Sequence, residues 1–170
     1  MKGFTLLYAS LIVSLILSVA MSIAHIALTE VLLSSAGKDS QSAFYAADTG
    51  LECALYYENN VEATGGARFF PYKDGNDLVG SSANDISSNL ECGTVSPTSV
   101  LVNLGANDTA TTTSKFSIQT SSGICFGVVV EKKKRDAFST DLYIESRGYS
   151  SCDVGSPRRV ERGLYTTFSH

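Results

Sequence analysis

Residues 4 to 29 read FTLLYASLIVSLILSVAMSIAHIALT. At about 1.5 Å of rise per residue this run makes roughly 39 Å of helix, enough to cross the ~30 Å hydrocarbon core of a bilayer. No Gly or Pro interrupts it, and no Asp, Glu, Lys or Arg stands between Lys2 and Glu30. A secretory signal peptide cut near Ala24 or Ala27 is the competing reading. Such a peptide has a longer basic start and an apolar core of only about 7–15 residues. Here a single Lys2 precedes the apolar residues, and the helical pattern runs on past residue 30. The run therefore reads as a retained transmembrane helix. Lys2 before it and the long polar remainder after it place the N-terminus inside and the bulk outside.

The rest of the composition agrees. The chain has 170 residues, 13 Lys and Arg against 17 Asp and Glu, and a formal net charge of −4. That balance argues against a dedicated nucleic-acid binder, whose domain runs basic. The two histidines are His25, inside the apolar run, and His170. They leave little for acid–base or metal chemistry, and no enzyme, metal or cofactor is expected. His25 reads as a neutral interfacial residue near the outer end of the helix. Cys53, Cys92, Cys125 and Cys152 all lie beyond the run. An even number, with no C-x-x-C pair, suits two disulfides in an oxidising compartment.

Ser10, Ser14, Ser18 and Ser22 recur every four residues along the apolar helix. Small residues at that spacing let helices approach closely in lipid, so the stripe is a candidate packing face. Each hydroxyl could equally bond back to its own preceding turn. The helix is expected to continue to about residue 58 as an amphipathic segment. Phe44, Ala47, Leu51 and Leu55, with Ala43 and Ala54 more loosely, mark its apolar face. Lys38, Asp39, Asp48, Glu52 and Glu58 mostly fall elsewhere, and Asn59–Asn60 and Gly65–Gly66 supply stop signals.

Residues 59–98, punctuated by Gly, Asn, Asp and Ser, read as an irregular connecting loop. A loop that long needs a tie, and Cys92 is the candidate. Strands are expected at about 99–104, 115–120, 124–131, 139–147 and 158–168, where Val, Ile, Thr, Tyr and Phe dominate. The fold class is α+β: a long N-terminal helix packed on a C-terminal antiparallel sheet spanning 99–170.

Four cysteines allow three pairings. Neighbouring pairing, Cys53–Cys92 and Cys125–Cys152, would anchor the loop to the helix and join two C-terminal strands. Cys53 lies about 200° around the helix from Leu51, which fits a tether for the loop. Lys132–Arg135, flanked by Glu131 and Asp136, reads as a solvated hairpin turn and not as a DNA contact. Asn107-Asp108-Thr109 matches a glycosylation sequon by chance and carries no weight.

Lys2-Gly3-Phe4-Thr5-Leu6-Leu7, followed by the long apolar helix, resembles the class III leader of type IV pilins and pseudopilins. The stretch Asp39-Ser40-Gln41-Ser42-Ala43-Phe44-Tyr45-Ala46-Ala47-Asp48-Thr49-Gly50-Leu51-Glu52, with its A-F-x-A-A-[DE]-x-G-[LI]-E pattern from Ala43, looks like a segment of PilX-type minor pilins and K-type pseudopilins. The tail from Ser146-Arg147-Gly148-Tyr149 to Arg162 is similar to the closing strands of many pilin-like proteins. The resemblance covers about residues 2–57 well and 124–168 loosely.

It implies that residues 1–3 are a leader, cut between Gly3 and Phe4 by a prepilin peptidase that then methylates Phe4. Residues 4–29 would become a filament core, and the inner-membrane assembly platform, membrane lipid and other pilin subunits would be the partners. One departure matters. Where that family usually carries a Glu that offsets a neighbour's N-terminal ammonium, this chain has neutral Tyr8. K-type pseudopilins lack the Glu too and sit at the tip, so a tip or initiation role is implied. The usual mid-helix Pro is also missing, and His25 stands near its place. The expected function is a minor pilin or pseudopilin, in the membrane before assembly and then in a surface pilus or periplasmic pseudopilus. The alternative is a single-pass anchored extracytoplasmic binding module that does not polymerise.

Overall fold

The structure is a computed structural model and describes residues 2–60, 69–74, 77–92, 95, 97–104, 111–120, 123, 125–136 and 139–169. Met1, Gly65–Gly66, the 107–109 sequon, Ile124 and His170 lie outside the described residues.

Helix α1 comprises Lys2–Asn59, 58 residues without interruption. The chain divides into two compact units, Met1–Lys38 and Asp39–His170. In the first, the large apolar side chains from Leu7 to Leu33 are all exposed. That helix is long and apolar enough to cross a membrane. Side chains of this kind have no aqueous core to enter, so bilayer or protein must cover them.

The second unit begins with the remainder of α1, which ends where Asn60 N–H donates to Tyr56 O at 2.9 Å. Five strands follow in an antiparallel sheet of order β3-β4-β5-β6-β7: β3 Ser99–Leu104, β4 Thr111–Gln119, β5 Cys125–Lys134, β6 Thr140–Tyr149 and β7 Glu161–Ser169. Period-two alternation sets their inner face. Phe116 and Ile118 of β4, Phe126, Val128 and Val130 of β5, and Leu142 and Ile144 of β6 are buried. Cross-strand register aligns them, with Phe116 opposite Val128 and Val130 opposite Ile144. The α+β architecture is the one the sequence implies.

The helix face that meets this sheet is the expected one except at Phe44. Ala43, Ala46, Ala47, Cys53 and Ala54 are buried and Leu51 and Leu55 only partly so, while Phe44 is 45% exposed. The reason is distance. A Cβ on Gly148 of β6 would overlap the Ala43 carbonyl oxygen and the Ala47 nitrogen, and a Cβ on Gly50 would meet Phe126 at 2.7 Å. At Gly50 and Gly148 helix and sheet approach so closely that no larger side chain fits, and Phe44 is turned away.

The stretch 59–98 is not an unbroken irregular loop. It holds a hairpin, β1 Tyr72–Asp74 with β2 Asp77–Val79, and a short helix, α2 Ala83–Asn89. Ser82 caps α2: its Oγ accepts from Asp85 N–H at 3.3 Å, and Ser82 N–H donates to Asp85 Oδ2 at 3.0 Å. Ser82 Oγ also donates to Asp85 Oδ2 at 2.7 Å, and that bond, then the one from Ser82 N–H, holds the Asp85 carboxyl below the usual carboxylate range. The S-x-x-D spacing is a capping-box signal hidden in a stretch whose Ser, Asn and Asp content reads as loop. Ile86 and Leu90 from this segment, with Phe69 and Phe70, are fully or nearly fully buried in the core.

Strands β4, β5 and β6 run longer than the sequence suggests, and β7, expected from about 158, begins only at Glu161. Of KKKRD at 132–136 only Arg135 and Asp136 lie in the turn: Lys132–Lys134 continue β5, and the turn closes where Arg135 N–H donates to Ser139 O at 3.0 Å. Lys132 points inward at 1% exposure, so the solvated-turn reading is wrong for that residue.

Two disulfides pin the unit, Cys53–Cys92 (Cα–Cα 5.6 Å) and Cys125–Cys152 (Cα–Cα 5.3 Å). Sequence separations of 39 and 27 make the two loops similar in length. On the chain-entropy account each contributes about 2–4 kcal/mol, and the two differ by only about 0.3 kcal/mol. Cys53 belongs to the buried core and also tethers the 60–98 stretch.

Candidate functional site

Along the first unit, the four serines of the stripe satisfy themselves. Ser10 Oγ donates to Leu7 O at 2.9 Å, Ser14 Oγ to Leu11 O at 2.8 Å, Ser18 Oγ to Leu15 O at 2.9 Å and Ser22 Oγ to Ser18 O at 2.9 Å. Back-bonding of this kind removes the hydroxyl's need for water and leaves a narrow strip of small side chains. Gly3 lies within the helix. Phe4 is 74% and Tyr8 60% exposed. The residues named for processing and packing thus share one uncovered helix.

The second unit carries two polar constellations that the sequence reading passed over. The first is buried. Lys132 Nζ meets Glu58 Oε1 at 2.5 Å with both side chains at 2% exposure or less, and Lys132 Nζ also donates to Phe70 O at 2.7 Å. One ammonium joins the end of α1, strand β5 and the 69–71 segment. A signal for it did exist. Lys132 has the same strand parity as inward-facing Val128 and Val130, and Glu58 stands one turn beyond buried Ala54.

The second constellation lies on the outer face of the sheet. Arg147 Nε donates to Glu145 Oε1 at 2.7 Å and Arg147 Nη1 to Glu161 Oε1 at 3.1 Å. The hydrogen bond to Glu145, then that carboxylate's charge and Glu161's, hold the guanidinium above its ordinary range. The Tyr143 and Tyr165 rings stack at 6.3 Å. Partial burial, and then Glu145, push the Tyr143 phenol up. Of the arginines toward the C-terminus, Arg159 lies 3.8 Å over the Tyr149 ring and Arg162 donates to Ser40 Oγ at 2.9 and 2.7 Å. These cations are engaged within the chain. All four cysteines are in disulfides, and among the described residues no three His, Cys, Asp or Glu side chains converge as a metal site.

An exposed apolar helix is thus continuous in sequence with one whose Ala–Gly face docks on an antiparallel sheet closed by two disulfides. The architecture is pilin-like. Comparison with protein families, with curated proteins and with solved structures finds no match to this chain. The pilin-like character therefore stands on the helix–sheet arrangement and on the residues of the leader and the 43–52 segment. The apolar helix is of the kind that serves as a membrane anchor or signal, and the disulfides suit an extracytoplasmic unit.

Proposed function

We propose that the chain is a non-enzymatic structural subunit, a minor pilin or pseudopilin of a type IV filament or secretion pseudopilus. A prepilin peptidase cuts it after Gly3 and methylates Phe4. It waits in the inner membrane with its disulfide-bonded unit outside, surrounded by lipid. The assembly platform then passes it into a filament, where residues 4–29 pack against other pilin subunits. The observation that supports this best is the uncovered apolar stretch of α1, which serves no purpose inside the chain's own fold and needs lipid or neighbouring helices.

Mass spectrometry of the native N-terminus tests the reading. The expected result is a chain beginning at a methylated Phe4. An intact Met1 points instead to the anchored module that never polymerises, and loss of the whole apolar run defeats both. Tyr8 refines the placement. A neutral phenol offers no counter-charge to a neighbour's ammonium, and an unpaired charge in an apolar core is costly. The subunit therefore sits at the tip or acts in initiation. In doubly labelled filaments it is expected as single foci at one end, and uniform incorporation along the shaft overturns that placement.

A further inference from the structure

A groove of about 410 Å³ lies at one end of the sheet's outer face, beside the β5–β6 turn. This volume falls within the ~300–1,000 Å³ range of small-molecule sites. Register builds its floor: Lys133 stands opposite Asp141, Glu131 opposite Tyr143, Tyr143 opposite Thr167 and Asp141 opposite Ser169. All six side chains point away from the core by strand parity. The Tyr143 ring leans toward Tyr165, and its hydroxyl donates to Glu145 Oε2 at 3.4 Å. Arg135 reaches Asp141 only at 3.8 Å, the outer limit of an ion pair, and both are well exposed.

The chemistry of the lining selects the ligand. Glu131 and Asp141 repel an anion, while Lys133 and the Arg135 guanidinium beside Asp141 balance their charge against a cation, so no simple ion is matched. A neutral polyol is matched on every count. Its hydroxyls donate to the two carboxylates and accept from Lys133, Thr167 and Ser169, and its C–H face lies on the Tyr143 ring. We propose that this groove binds a neutral saccharide. The inference concerns the sheet unit alone and holds whether or not the chain polymerises.

Saturation-transfer difference NMR on the full chain tests it, in nanodiscs of phosphatidylserine and phosphatidylethanolamine, which present no polyol headgroup. The probes are methyl galactoside, N-acetylglucosamine and lactose, with inorganic phosphate and tetramethylammonium as charged controls. Saturation of ring protons of at least one sugar is expected, together with none for either ion. Glu131→Gln and Asp141→Asn, both exposed changes that keep the side-chain shape, are each expected to weaken binding about tenfold. Tyr143→Ala should abolish it. Absence of transfer to all three sugars overturns the proposal. So does transfer unchanged in both carboxylate variants, or binding of a charged probe in place of the sugars.

Discussion

Lys132→Met is expected to destabilise the folded unit by about 3–5 kcal/mol, because it strands the Glu58 carboxylate in the interior. The side chains of Lys132 and Glu58 are 1% and 2% exposed. Water cannot reach that carboxylate without opening the end of α1. The same change removes the donor to Phe70 O, 2.7 Å away, and so loosens the segment that brings Phe69 and Phe70 into the core. Glu58→Leu together with Lys132→Met should recover most of the loss. The Phe70 carbonyl still lacks its donor, which leaves a deficit of about 1–3 kcal/mol. Lys133→Met, one residue along and facing solvent, should lie within about 0.5 kcal/mol of the parent. Chemical denaturation of the full chain in detergent reads the three variants against the parent. Equal small costs at 132 and 133 would show that the pair contributes nothing.

Gly148→Ala should be at least as damaging, through sterics in place of charge. The added methyl would overlap the Ala43 carbonyl oxygen, the Ala47 nitrogen and the Ala46 Cβ. Two of those are helix backbone atoms that cannot swing aside, so α1 must lift from β6 as a body. Overpacking commonly costs about 1–3 kcal/mol where side chains can adjust. Here more than about 3 kcal/mol is expected, with loss of the cooperative unfolding transition. Gly163→Ala is the matched control on the neighbouring strand. Its Cβ would meet Ser146 O at 3.9 Å, an ordinary contact, so it should be close to neutral. A cooperative transition retained by Gly148→Ala at near-parental stability would mean that helix and sheet are not in the close contact described.

Much of this was legible in the residues, and the reasons differ by element. The apolar run needed only counting, since the absence of charge between Lys2 and Glu30 is a one-dimensional fact. Strand β3 was placed to the residue because SVLVNL is bounded by Pro97 and Gly105 and dominated by branched side chains. Strands β4 and β5 run longer, since TTT at 111–113 and KKK at 132–134 carry little hydrophobic signal while still alternating in and out. Helix α2 was missed because Ser, Asn and Asp favour caps and turns as well as loops. Its capping box shows only once the Ser82–Asp85 pair is read as a unit.

The helix face was misjudged at Phe44 for a related reason. Hydrophobicity ranks Phe above Ala and Gly, but the space available ranks them the other way. Nothing in residues 39–59 alone states how near Gly148 will come. The pairing of Glu58 with Lys132, 74 positions apart (132 − 58), is of the same kind. Each was visible as an oddity, an acid at the end of a helix face and a lysine on an inward parity, but their meeting is decided in three dimensions. The sequence by itself determined the apolar anchor, the long helix, the antiparallel sheet and the even set of cysteines, because composition and periodicity are local properties. Only the tertiary structure decided which side chains fill the helix–sheet seam and where the charges end up. Those outcomes depend on distances between segments far apart in the chain, and no local pattern encodes a distance.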